Sequence, residues 1–160
     1  MKVFKLFSVI LYIVVVLITA SLGIKFISAT EYFGYHAEAA GTSWAAIEPG
    51  LQVVYLAVFK VCGAAILSVC VCMLIMIIVP FAKHHHRWSY YAIPIVGMLF
   101  WSITLATTLY VTSVTSAKAP WIGSLICVVM ILVAFVSSLL HRSALPNKAN
   151  SADAKSPAAV

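Results

Sequence analysis

The chain has 160 residues, 64% of them hydrophobic and only 9% charged, with a formal net charge of +6 and a mean hydropathy of +1.09. Soluble domains carry about 25% charged residues, so this composition excludes an ordinary water-soluble fold and fits an integral membrane protein. It does not indicate a nucleic-acid binder, because the basic residues stand at the ends of apolar runs and form no single stripe.

Lys2 and Lys5 precede the apolar run Leu6 to Ile24. A secretory signal begins in the same way, but this run is long for one, and no small-x-small cleavage site leads into a soluble domain. The pattern predicts an uncleaved first span over about 6–25. Residues 26–50 then form a loop holding three of the four acidic residues, Glu31, Glu38 and Glu48, together with Tyr32, Tyr35, His36 and Trp44. Thr42 or Ser43 is placed to cap a short helix, TSWAAIE, which Pro49-Gly50 ends, so the loop is expected to be a partly helical cap on the membrane surface.

The second span is predicted over about 51–79. Val61 to Val79 alone is nineteen residues without a charge, roughly 28 Å of helix against the ~30 Å hydrocarbon core. A helix over all of 51–79 measures ~44 Å, so it must tilt, or lift its first two turns out of the bilayer to pack against the preceding loop. Lys60 then lies at or just below the boundary. The connection FAKHHHRWSY carries Lys83, His84, His85, His86 and Arg87, and Trp88, Tyr90 and Tyr91 form an aromatic belt beside it. A third span, about 91–113, tolerates Pro94 in its first turn and carries Thr104, Thr108 and Thr112 along one side. A fourth runs over about 121–140, and the polar residues 141–160 read as a disordered cytoplasmic tail. The expected fold is an all-α integral membrane protein, a four-transmembrane-helix bundle with an extracytoplasmic loop between helices 1 and 2.

Seven Lys and Arg residues (Lys2, Lys5, Lys83, Arg87, Arg142, Lys148, Lys155) fall on the side of the N-terminus, against Lys25 and Lys118 on the other. The positive-inside rule therefore puts both termini in the cytoplasm and the acidic loop outside.

Lys60 is the sharpest chemical signal, since an amine flanked by apolar sequence needs a partner or a route to water. Ala64 and Ser68 follow it at spacing four, and small residues permit close helix contact, so Lys60 is expected to face the bundle; the alternative is snorkelling to the surface. Thr108 and Thr112 lie at a similar depth, and Glu31, Glu38 or Glu48 can descend to pair with the amine. With His36 and Trp44 these residues make up the candidate polar site. Glu31, His36 and Glu38 are able to bind a divalent ion, but no H-E-x-x-H or closely spaced histidine pair occurs among them, so no metal is expected. No histidine lies mid-span to hold a haem, and no cofactor is expected. Cys62, Cys70, Cys72 and Cys127 read as small buried hydrophobes, with Cys70 and Cys72 ~200° apart around one helix. The Lys83–Arg87 cluster should attract anionic lipid headgroups, more strongly as pH falls.

The pattern Tyr35-His36, Gly41, Trp44, Pro49-Gly50-Leu51-Gln52, Lys60 and Gly63 resembles a group of small four-span bacterial inner-membrane proteins. In that group the second span also ends in Pro-Phe and a basic loop, here Pro80-Phe81, Lys83 and Arg87-Trp88. The third begins like Ala92-Ile93-Pro94. The resemblance covers about residues 30–115 and implies the architecture and a bacterial source without carrying an activity; the three histidines replace an Arg-rich form of the loop. The leading expectation is a non-enzymatic inner-membrane scaffold or accessory subunit, with membrane lipids, another membrane protein or a second copy as partners. The alternative is a lipid- or quinone-handling protein with an outward-facing pocket around Lys60, His36 and Glu38. A small transporter is a weaker reading, because no acidic residue lies inside any span.

Overall fold

In a hydrocarbon environment every backbone N–H and C=O must be satisfied within the segment, so long apolar runs become helices. The computed structural model describes residues 2–84 and 86–143 and is all-helical over its regular elements. Helix α1 spans Lys2–Ser28, α2 Gly34–Ala40, α3 Pro49–Met76, α4 Ser89–Val114 and α5 Trp121–Ser143; a 3₁₀ turn occupies Trp44–Ala46 and a π-helical turn Ile77–Lys83. Among the described residues four segments are long and apolar enough to cross a membrane: Val3–Ser28, Pro49–Lys83, Ser89–Val114 and Trp121–Arg142.

Pro49-Gly50 starts α3 and does not end a helix before it. A proline in the first turn gives up an N–H that has no intrahelical acceptor anyway, and its φ is already helical. The short helix of the loop lies earlier than expected, at 34–40. Gly41 ends it in the left-handed region at φ 64, which suits a residue without Cβ. At the other end of α3 the helix continues past the expected limit at 79 because the turn widens. The His84 N–H donates to Val79 O, five residues back, at 3.1 Å. Widening accommodates Pro80, which has no N–H and whose ring crowds the carbonyl four residues earlier. Helix α5 likewise runs past 140, with His141 buried; the remainder of the expected tail, 144–160, lies outside the described residues.

Helix α1 packs on both α3 and α5, α5 packs on α4, and α3 meets α4 less extensively. The tightest crossing is between α1 and α3 at Gly63. A Cβ there would stand 2.6 Å from Ile27 Cγ1 and 2.7 Å from the Gly23 carbonyl oxygen, so only glycine fits. Tyr12, Val15, Val16, Met73, Ile77, Phe81, Ile93, Trp101 and Ile131 are buried between the helices. The outside is apolar as well, with Leu6, Leu17, Val61, Ile75, Ile95, Leu99 and Ile126 all exposed. Such a surface is stable against lipid tails and not against water. The chain is a multi-pass helical membrane protein.

One expectation about faces is corrected. Cys70 and Cys127 are buried, but Cys62 and Cys72 are exposed on the outside of α3. The hydroxyls of Thr104, Thr108 and Thr112 do not reach other helices; each donates to the carbonyl four residues back (Phe100, Thr104 and Thr108 at 2.8, 2.9 and 2.9 Å), the local bond that satisfies a hydroxyl inside an apolar helix.

Candidate functional site

The loop between α1 and α3 folds into a cap built on aromatic rings. Phe26 of α1 and Phe59 of α3 approach to 5.3 Å, and Phe33 lies 5.1 Å from Phe26 and 5.4 Å from Phe59, stacked on the latter. Tyr32 meets Trp44 edge to face, centroids 5.1 Å apart, and its Oη donates to the Thr42 carbonyl. Gln52 Nε2 donates to the carbonyls of Trp44 (2.8 Å) and Ile47 (3.2 Å), tying the 3₁₀ turn to the first turn of α3. Each ring is amphipathic or apolar and has one side against the helix ends, as at a membrane–water boundary.

His36 belongs to this ring cluster, 4.0 Å from Tyr35 and 5.3 Å from Phe59. Its Nδ1 is buried and has no hydrogen-bond partner among the described residues. Burial lowers the His36 pKa below the ordinary value because desolvation penalises the imidazolium, so the ring sits neutral at physiological pH. Burial also pushes the Tyr35 phenol up.

The acidic residues of the candidate site point elsewhere than toward Lys60. Glu38 Oε2 accepts the backbone N–H of Lys118 at 2.9 Å, linking α2 to the turn before α5. Glu31 is exposed beside an open depression lined also by Lys25, Ser28 and Thr30. Glu48 is exposed at the start of α3, where its carbonyl accepts the Gln52 N–H at 3.1 Å. Trp44 is half-buried in the cap; Thr108 is buried and Thr112 half-buried on α4.

Lys60 itself is exposed, as are Ala64 and Ser68, and it makes no hydrogen bond or ion pair with the described residues. The expectation that this face turns into the bundle is therefore corrected. The helix packs through Phe59, Gly63, Ile66, Cys70 and Met73, which lie ~100° or more around from the Lys60 row. Glycine at 63 allows a closer approach than alanine at 64, and the closer approach decides the buried face. The structure brings His36 to Phe59, next in sequence to Lys60, but does not gather Lys60, His36 and Glu38 around one pocket.

The opposite end of the bundle holds the basic loop. Lys83, His84, His86 and Arg87 are exposed, with the rings of His84 and His86 5.8 Å apart; His85 lies outside the described residues. Arg142 Nη1 donates to Tyr91 Oη at 2.7 Å, and its guanidinium lies 5.7 Å from the centroid of that ring. Lys5 Nζ donates to the carbonyl of Ala82 at 2.7 Å. Sequence reasoning missed a set of buried polar side chains at this end: Ser8, Tyr12, Ser89, Ser138 and His141. The signal was present as neutral polar residues inside apolar runs, such as Ser8 and Tyr12 at spacing four, but without a charge they did not stand out. Mid-bundle, Trp101 Nε1 donates to Thr19 Oγ1 at 3.2 Å, a second interior polar contact without a sequence motif.

No group of three or more His, Cys, Asp or Glu side chains able to share a metal ion occurs among the described residues. The fold and its two contrasting ends define a four-helix membrane protein with an aromatic cap. Comparison with protein-family models, with curated proteins and with solved structures found no match to this chain.

Proposed function

We propose that this chain is a non-enzymatic multi-pass protein of a bacterial inner membrane, a scaffold or accessory subunit that works by packing against another membrane protein or lipid. The observation that carries the reading is the uncovered row on α3: Lys60, Ala64 and Ser68 are exposed and the amine has no partner among the described residues, while another side of the same helix, at Gly63, is closed on Gly23 and Ile27. An uncompensated cation beside small residues favours a close contact with a partner. The distribution of Lys and Arg supports cytoplasmic termini, with Lys5, Lys83, Arg87 and Arg142 at one end and Lys25 and Lys118 at the other. The basic loop at Lys83, His84, His86 and Arg87 then faces the anionic inner leaflet and binds lipid headgroups.

Purification in gentle detergent, with the native mass measured, tests the scaffold reading. A complex larger than the monomer is expected, and a chain that is always alone and monomeric overturns it. Labelling from outside the cell tests the topology: Thr42→Cys, in a variant whose Cys62 and Cys72 are replaced by alanine, should react with an impermeant maleimide in intact cells.

A second reading, an amphiphile-handling protein, draws on one observation: the buried, unpartnered Nδ1 of His36 amid aromatic rings. It expects saturable quenching of tryptophan fluorescence by a quinone analogue in lipid discs, reduced by Trp44→Phe and by His36→Phe. Quenching that rises linearly without saturation removes it.

A further inference from the structure

Helix α2 ties two parts of the cap end together. Phe33, at its N-cap, meets Phe26 of α1 at 5.1 Å and stacks on Phe59 of α3 at 5.4 Å, and His36 lies 5.3 Å from Phe59. Two residues on, ~200° round the helix, Glu38 Oε2 accepts the Lys118 N–H at 2.9 Å in the turn before α5. Since α3 and α4 meet less extensively than the other neighbouring helices, α2 is a strap from the α1–α3 pair across to the α4–α5 turn. Its hold on Phe59 is made by Phe33 and His36, and of these two only His36 can take up a proton.

An imidazolium carries a hydrogen on both ring nitrogens. The His36 Nδ1 is buried without a hydrogen-bond partner among the described residues, so a proton taken up while the strap is docked creates a charged donor with no acceptor. Leaving it so costs more than the attraction of the cation to the faces of Tyr35, Phe33 and Phe59 returns. The surrounding charges do not reverse that balance. Tyr35, 4.0 Å away, is neutral, its phenol pushed up by burial. The charged groups on the packed elements, Lys25 of α1, Lys60 of α3 and Lys118 of the α4–α5 turn, are exposed cations. Glu38 is on another side of α2 with its oxygen on Lys118, and Glu31 and Glu48 are exposed. Burial accordingly lowers the His36 pKa, whereas an undocked strap returns the ring to water, where it titrates near 6.5.

We infer that α2 is a proton-released strap: one proton on His36 detaches it from Phe59, breaks the contact between Glu38 and Lys118, and frees the α4–α5 turn from the cap. The undocked form binds the proton more tightly, so acid favours release. The strap is closed above about pH 6.5. Below that, the ratio of docked to undocked falls by up to about tenfold per pH unit until the depressed value is reached. Phe59, only 8% exposed under the strap, is uncovered on release, so acid on the cap side opens an apolar site that neutral pH keeps shut. The device acts alike whether the chain is alone or beside a partner.

Spin labels on Ala40→Cys and Ser116→Cys, both exposed positions, read the gap between strap and turn in the full-length protein in lipid discs, with Cys62 and Cys72 replaced by alanine. Labels on Ile24→Cys and Val61→Cys, exposed on α1 and α3, form the control pair. Between pH 7.5 and pH 5 a second, longer distance is expected at 40–116, its ratio to the short one growing by no more than about tenfold per pH unit, with no change at 24–61. His36→Phe should hold the short distance throughout. Glu38→Gln keeps an oxygen for the Lys118 N–H and should keep the pH response. A 40–116 distance that never changes, a control pair that moves as well, or a response steeper than one proton allows overturns the inference. So does a response that persists in His36→Phe or vanishes in Glu38→Gln. Should His36→Phe stand open already at pH 7.5, the wild-type imidazole decides: its NMR titration must cover the pH range in which the longer distance grows, and a separate range overturns the strap.

Discussion

The two ends of the bundle are built on different terms. At the N-terminal end the chain closes over its interior polar groups and leaves the basic loop exposed: Tyr12 meets Phe81 edge to face at 6.1 Å, Phe81 meets Tyr90 at 4.9 Å, and Ser8, Ser89, Ser138 and His141 are buried as well. At the cap end most rings other than Tyr32 and Phe59 are only partly covered, a hydrogen bond from Lys118 N–H to Glu38 joins the loop to the α4–α5 turn, and Lys60 has no partner among the described residues. The same four helices supply both. A sealed end contributes to stability, whereas an end with exposed apolar side chains and an unpaired cation is suited to contacts outside the chain.

Stability measurements in detergent micelles can break this comparison. The largest loss is expected for Phe81→Ala, which empties a fully buried ring site between α1, the π turn and α4. Such truncations cost about 3–5 kcal/mol in globular cores, and the lower end is expected here because a released side chain meets detergent tails and not water. Phe33→Ala in the cap should cost less than half as much; equal losses would erase the distinction between the ends. Gly63→Ala is expected to cost about 1–3 kcal/mol, since the added methyl meets the Gly23 carbonyl, which is backbone and cannot rotate aside. Trp101→Phe should cost only about 0.6 kcal/mol, because Thr19 Oγ1 keeps its own bond to the Val15 carbonyl at 2.7 Å.

A pH titration sharpens the comparison at the cap. His36 has a lowered pKa when docked, so the undocked cap binds a proton that the docked one does not. Cap docking is therefore strongest above the ordinary histidine value near 6.5 and weakens as pH falls from there toward the depressed value. Hydrogen exchange at residues 32–46, corrected for intrinsic rates, should show lost protection at pH 5 relative to pH 7.5 in the wild type and not in His36→Phe. The smallest effect is expected for Lys60→Met, below about 0.5 kcal/mol on unfolding, as for other surface substitutions. A large loss would mean that the lysine supports its own bundle.

Four spans were legible from hydropathy alone, and the described residues hold four helices long and apolar enough to cross a membrane. The physical cause is simple, since apolar length is all that a spanning helix requires. What hydropathy does not encode is rotation. Spacing-four reasoning put Lys60, Ala64 and Ser68 on the inner face, but Gly63, one position before Ala64, makes the contact with Gly23 and turns that row outward. The cap was misplaced for a related reason. TSWAAIE carries a capping residue and a Pro-Gly terminator but forms only the 3₁₀ turn Trp44–Ala46 behind Ser43, since Pro49 is better used in the first turn of α3, and GYHAEAA forms the α-helix without a side-chain cap. The π turn at 77–83 left no trace beyond Pro80, a residue that as readily ends a helix.

That wide turn sets how the basic loop is aimed. A π turn takes up one residue more than an α turn over the same contact, and each residue rotates a helix by ~100°. Removing a single residue between Ile77 and Lys83 would swing Phe81 out of its aromatic niche or, if Phe81 stayed put, swing Lys83 and the start of the basic loop round to another azimuth. The extra residue thus lets the buried seam and the exit into the basic loop be oriented independently, although no break interrupts the rod between Pro49 and Lys83.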